Sequence, residues 1–166
     1  AIQAALTGHL VISTLHTNDA PSAITRLMDL GVPPYLIGAT MLGVMAQRLV
    51  RTLCPLCKRD AFLDPDVWED LITPWKSKIP EKVKMPGGCL ECRKTGYRGR
   101  VGIYEVMPFS QTIKDMITHT EPLVNIKKQG MKEGMRTLRL SGANKVAAGI
   151  TTPEEVLRVA PKSLSK

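Results

Sequence analysis

Four cysteines fall into two pairs of identical spacing, Cys54-Pro-Leu-Cys57 and Cys89-Leu-Glu-Cys92. Two intervening residues let both thiolates of a pair converge on one ion from a tight turn. Two such turns complete a tetrahedral all-thiolate site, the donor set that suits structural zinc. All four cysteines of the sequence are used in this way, so no thiol is reserved for catalysis. A closed four-cysteine site leaves no coordination position for a substrate, so the metal expected here holds a fold together and catalyses nothing. The other chemistries open to these residues are a pair of disulfides or a site that has lost its metal. Thioredoxin-type exchange fits less well, because it uses a single pair near a βαβ unit.

A second group of polar side chains is Ser13-Thr14-Leu15-His16-Thr17-Asn18. It ends His9-Leu-Val-Ile-Ser-Thr-Leu15, an apolar, β-branched run that reads as a buried parallel strand. In open α/β sheets, ligands sit beyond the carboxyl ends of the strands. Hydroxyls, an imidazole and an amide at that place could orient a water or contact phosphate oxygens. A lone histidine after a strand is also a common structural group, satisfied by its neighbours. His9 lies at the other end of the run and is a poorer partner. The sequence has no Gly-x-x-x-x-Gly-Lys-Ser/Thr phosphate loop. Nor does an acidic residue directly end an apolar strand in the manner of a Mg²⁺-holding carboxylate. The expectation is that this chain alone binds ATP poorly.

The elements that position these groups are read from periodicity. Ala1 to Thr7 is the end of a helix with Gly8 as its C-cap. Asn18 or Asp19 caps a second helix, which runs to about Leu30 and is ended by Gly31. Pro33-Pro34 open a third, extending to Val50, with Leu36, Ile37, Met41, Val44 and Met45 as its apolar stripe. Arg48 and Arg51 then lie at its end, where cations suit the helix dipole. Between the cysteine pairs come a short helix from Pro65 to Leu71, a lysine-rich linker to Lys84 and a Pro86-Gly87-Gly88 turn. Val101 to Met107 alternates as a strand, expected in a hairpin near the metal. Later helices are marked by Ile113 and Ile117, by Leu123 and Ile126, and by Leu138 to Val146. Thr152-Pro-Glu-Glu155 is a capping box starting a last helix, and Pro161 to Lys166 reads as a polar, frayed tail.

The totals bound the class. A chain of 166 residues with 43% hydrophobic content can bury a real core, and 4% aromatics makes that core one of Leu, Ile, Val, Met and Ala. The net charge of +8, from 23 Lys and Arg against 15 Asp and Glu, favours anionic partners without choosing among them. No apolar run approaches the roughly 18 residues of a membrane-spanning helix, and no basic-then-apolar leader opens the chain. Reduced, metal-binding cysteines fit a cytosolic compartment. The chain opens without Met in an Ala-rich helical stretch, as expected of a piece of a longer protein.

The run Gln3-Ala-Ala-Leu-Thr-Gly-His-Leu-Val-Ile-Ser-Thr-Leu-His-Thr-Asn-Asp-Ala20 resembles the histidine box of the secretion ATPases. These are the hexameric motors of type II secretion and type IV pilus assembly. The similarity continues through Ala23-Ile-Thr-Arg-Leu27, Ala46-Gln-Arg-Leu-Val-Arg51, the four cysteines, Gly96-Tyr-Arg-Gly-Arg-Val-Gly-Ile-Tyr-Glu105, Gly130-Met131 and Gly134-Met-Arg-Thr-Leu138, and so covers essentially the whole chain. The four cysteines resemble the assembly and secretion members; the pilus-retraction members lack them.

The resemblance implies an α/β fold, the C-terminal part of a RecA-like P-loop ATPase core with a tetracysteine zinc-binding insertion and a C-terminal helical bundle. It divides the chain into core (1–53), zinc subdomain (54–100) and a strand with helices (101–166). It makes His16, with Thr14 and Thr17, the catalytic group near the γ-phosphate. It puts Arg48, Arg98 and Arg100 at nucleotide or subunit interfaces, and Cys54, Cys57, Cys89 and Cys92 on structural Zn²⁺. ATP and Mg²⁺ would be bound only by the full-length parent, whose phosphate loop, acidic box and Walker B carboxylate precede Ala1. The implied partners are other copies in a hexamer and the inner-membrane platform and assembly proteins. The implied location is cytoplasmic, at the inner face of the bacterial inner membrane.

Two other functions compete. A zinc-ribbon nucleic-acid binder would use Arg93, Lys94, Arg98 and Arg100 on phosphates, but few aromatics lie near them for base stacking. It also leaves the apolar run before His16 unexplained, so no nucleic acid is expected. A plain interaction module, in which the zinc region docks a membrane-platform protein, is compatible with the motor.

Overall fold

Residues 41–53 carry two patterns at once. Their apolar positions recur at helical spacing, yet Ala46 and Val50 alternate with exposed Met45 and Leu49. In the computed structural model, which describes residues 1–160, the strand pattern wins. The expected helix from Pro34 to Val50 is instead α3 (Pro34–Thr40) followed by β1 (Gly43–Leu53). Helical geometry ends at Met41, which is extended at φ −80° and ψ 133°. The reason is a partner that periodicity cannot show: β1 pairs with β4 (Tyr97–Pro108). The Leu42 carbonyl accepts the Phe109 N–H at 2.9 Å, and the Cys54 N–H donates to the Gly96 carbonyl at 2.9 Å, so the two strands run antiparallel. Gly43 permits the approach, because a Cβ there would stand 2.9 Å from the Met107 carbonyl oxygen.

The chain forms two compact units, and both strands thread through both of them. The first comprises Ala1–Ala46 and Glu105–Arg136. It holds α1 (Ile2–Leu6), α2 (Ser22–Asp29), α3, α5 (Gln111–Thr118) and α6 (Leu123–Lys132). Its core is Ile24, Ile37, Met107, Ile113, Ile117 and Ile126, all fully buried. Helix α3 packs on α1, α2 and α5, and α5 packs on α6. Ser110 caps α5 by accepting the Ile113 N–H at 3.2 Å. Gly31 follows α2 at φ +83°, the left-handed conformation expected of a helix-ending glycine. Helix α2 starts at Ser22, later than a cap at Asn18 would place it, although Asp19 does accept the Ser22 N–H at 3.0 Å.

The second unit comprises Gln47–Tyr104 and, among the described residues, 137–160. It contains α4 (Pro65–Ile72), α7 (Leu138–Ala147), α8 (Pro153–Val159) and a small ribbon of β2 (Arg59–Ala61) with β3 (Val83–Met85). The ribbon is antiparallel, with Asp60 opposite Lys84, and their side chains form an ion pair at 2.6 Å. Asp64, Thr137 and Thr152 cap the three helices through side-chain oxygens. Val50, Leu71, Val83, Ile103, Val146 and Val156 fill the core. Arg139 joins α7 to α4 through Asp70 at 2.8 Å, and donates to the Ala160 carbonyl at the end of α8.

The mixture of helices and sheet is the α/β character expected. One element differs. The expected strand His9–Leu15 has no ladder: among the described residues the sheets are β1 with β4 and β2 with β3. Residues 9–17 are irregular, and Leu10 and Ile12 are 77% and 87% exposed. A β-branched run gains strand stability only from a hydrogen-bonded neighbour and a covering layer. The tail from Pro161 to Lys166 lies outside the described residues.

Candidate functional site

The two cysteine turns meet. All four Sγ atoms lie within 4.8 Å of one another. Cys54 and Cys89 stand 3.9 Å apart, Cys57 and Cys92 3.8 Å, and Cys89 and Cys92 3.7 Å. A tetrahedron of metal–sulfur bonds of about 2.3 Å has edges of about 3.8 Å, so the spacing fits one metal ion. Cys54 follows directly on β1, where its N–H is held by Gly96, and Cys89–Cys92 ride on a single 3₁₀ turn over Leu90–Cys92. Backbone N–H groups point at the sulfurs: Gly88 to Cys57, and Cys89 and Gly96 to Cys92, each at 3.2 Å. Such donors favour the thiolate. They hold the Cys92 thiol low, at about 6, first through the Cys89 N–H and, after the opposing cost of burial, through Gly96.

Glycine is required in this wall. A Cβ on Gly87 would sit 2.1 Å from the Cys57 carbonyl oxygen. One on Gly96, whose φ is +78°, would sit 2.3 Å from the Pro86 Cβ. No disulfide joins any of the four cysteines.

The histidine segment belongs to the first unit. Thr14 and His16 are exposed and Thr17 is half-buried. The segment is fixed at its downstream end by two carboxylates. Glu105, 2% exposed on β4, accepts the buried Ala20 N–H at 2.8 Å. Asp19 accepts from the N–H and the hydroxyl of Ser22, and Lys127 of α6 pairs with it at 3.2 Å. The Asp19 carboxyl titrates lower than an ordinary aspartate; burial opposes ionisation, and the Ser22 hydroxyl and Lys127 outweigh it. His9 lies apart, with Nδ1 3.1 Å from the Thr7 hydroxyl beside α1.

Arg48, Arg98 and Arg100 belong to the second unit, on β1 and β4. Arg48 donates to the Gln47 carbonyl at 2.8 Å, while Arg98 and Arg100 are exposed. The helix-dipole explanation of Arg48 and Arg51 falls, because both lie on a strand. Arg51 has a different partner. Its Nη2 donates to Glu155 at 2.7 Å, its backbone N–H donates to the same carboxylate at 3.0 Å, and its guanidinium lies 4.1 Å over the Tyr97 ring. Arg158 adds a bond to Glu155 at 2.9 Å. Burial alone would raise the Glu155 pKa. The Arg51 and Arg158 donors overcome it and hold this carboxyl at about 2. The capping box is therefore half-formed: Thr152 accepts the Glu155 N–H at 3.4 Å, while the Glu155 side chain faces the arginines.

Neither Glu105 nor Glu155 has a site role in the sequence reading, where Glu155 serves only the capping box. Glu105 had a signal, since it shares strand parity with buried Ile103 and Met107.

The family model described as type II/IV secretion system protein matches residues 1–158. The type IV pilus assembly ATPase TfpB of Acinetobacter baylyi is 53% identical over 97% of this chain. PilB, a type IV pilus assembly ATPase of Myxococcus xanthus, is 44% identical over 94% of it. The type II secretion system ATPase E of Vibrio cholerae is 44% identical over 98% of it. The chain spans only 28% of the first two proteins and 32% of the third.

Proposed function

Because the chain belongs to the type II/IV secretion system protein family, we propose that it is the C-terminal part of an ATP-hydrolysing motor for pilus assembly or type II secretion. The observation that carries this is the family match over residues 1–158, which spans the histidine segment and the four-cysteine cluster together.

The proposed core is RecA-like, with residues 1–53 completing it, 54–100 forming a zinc subdomain and 101–166 a strand and helical part. In the longer protein the run His9–Leu15 would become a covered strand, placing His16 at its carboxyl end. The His16 imidazole would then hydrogen-bond a γ-phosphate oxygen or the attacking water, with Thr14 and Thr17 beside it. Losing that contact after hydrolysis would shift the balance between two conformations.

Structural Zn²⁺ on Cys54, Cys57, Cys89 and Cys92 would pin the end of β1 to the start of β4. Arg48, Arg98 and Arg100 are proposed at nucleotide or subunit interfaces of a hexamer. No helix among the described residues is long and apolar enough to cross a membrane. The proposed location is cytoplasmic, at the inner face of the inner membrane, with platform and assembly proteins as the proposed partners.

ATP hydrolysis tests the reading. The full-length protein should turn ATP over and the 166-residue chain should not. Saturable hydrolysis by the chain alone, or none by the full-length protein with its partners present, contradicts it.

A further inference from the structure

Arg51, Arg100 and Arg158 line one open pocket of about 410 Å³ in the second unit, with Leu49 and Val159 as apolar walls. The chain brings them together from three elements, β1, β4 and α8. Glycine assists: Gly99 holds φ +83° inside β4, a conformation costly for any other residue, immediately before Arg100.

Glu155 sets the cluster's character. Its side chain is 3% exposed, yet it binds Arg51 and Arg158, which remain 47% and 60% exposed. A buried carboxylate thus holds two guanidiniums in place while their outer faces stay open. Arg51 is further fixed by stacking on Tyr97. Among the described residues Arg100 has no ion-pair partner. Three cations against one carboxylate leave the cluster at +2.

We propose that this pocket binds an acidic peptide segment of a partner protein, in which a carboxylate side chain is flanked by aliphatic residues. Guanidinium forks match a planar carboxylate through paired N–H donors. Two of the three are already ordered, so less side-chain entropy is lost on binding. Leu49, 48% exposed, and Val159 offer the adjoining aliphatic groups a surface that a free phosphate would not use. The inference concerns this unit alone and is an alternative to the nucleotide- or subunit-interface role proposed above for Arg100.

The test titrates the 166-residue chain with acetyl-Leu-Glu-Leu-Glu-Leu-amide, following arginine Nε–H resonances by NMR. Inorganic phosphate, a single-stranded DNA 12-mer and the glutamine analogue of the peptide are run in parallel. The acidic peptide should shift Arg100 and Arg158 saturably. Arg100→Gln should weaken it about tenfold, the loss expected for one charge-assisted pair. Arg98→Gln, on the same strand but outside the pocket, should change it less than twofold. The glutamine analogue should bind at least tenfold more weakly. Equal binding of that analogue, equal losses in the two arginine variants, or tighter binding of phosphate or DNA at the same resonances would each overturn the proposal.

Discussion

Glu155→Gln should cost stability at neutral pH, and that cost should fall by more than half by pH 3. In the folded chain the Glu155 carboxyl titrates at about 2, against an ordinary value of 4.5. The difference of 4.5 − 2, or about 2.5 units, corresponds at 1.36 kcal/mol per unit to about 3.4 kcal/mol as an upper bound. Arg51 and Arg158 are 47% and 60% exposed, so solvent screening leaves roughly half of that, about 1–2 kcal/mol. The folded-state pKa is depressed, so the contribution is complete above 4.5 and is lost as pH falls from 4.5 towards 2. Urea unfolding of wild type and Glu155→Gln at pH 7, 5, 4 and 3 reads the difference directly. Protonation of the cysteines is common to both proteins and cancels in the comparison. The gap should be about 1–2 kcal/mol at pH 7 and 5, and should shrink below pH 4.5. A gap under about 0.3 kcal/mol at pH 7, or one that stays constant to pH 3, would refute the reasoning.

Metal analysis of the chain purified without added metal should give about one zinc per chain, because the four thiolates make a single closed site. Metal-free protein with two disulfides would show that the cluster is not a metal centre. Gly87→Ala should weaken metal binding at least tenfold, since the new Cβ would overlap the Cys57 carbonyl; a competition assay with a chromogenic chelator measures it. Glu105→Leu should destabilise the chain by about 1–3 kcal/mol, by leaving the buried Ala20 N–H without an acceptor. Glu105→Gln keeps an acceptor and should lose less. Hydrogen exchange at Ala20 should accelerate in the leucine variant and stay slow in the glutamine one.

Local signals were readable in the sequence wherever a local cause decides the structure. Thr152 begins its helix with its own side chain, as the capping box predicts, and the helices marked by Ile113 and by Leu138 form with Ser110 and Thr137 as their caps. The cysteine pairs were legible for the same reason, since two-residue spacing constrains a turn. Residues 41–53 were not, because helical and strand periods overlap there and a partner more than forty residues away decides. Leu10 to Leu15 shows the converse: strong strand chemistry stays irregular where nothing pairs with it. In the sequence Glu155 is half of a capping box, a local device, whereas in the fold its carboxylate serves Arg51 across 104 positions. Buried charge of this kind is visible only once the fold brings its partners together.

Steady-state ATP turnover of the full-length protein carrying His16→Ala, set beside His9→Ala, tests the central claim most directly. Loss of one polar transition-state contact predicts a fall in kcat of roughly 10- to 100-fold for His16→Ala. ATP affinity should change much less, and the metal content should stay at the wild-type level. His9→Ala should be milder. Wild-type turnover in the His16 variant, or an equal loss in both, would contradict a phosphate-sensing role for this segment.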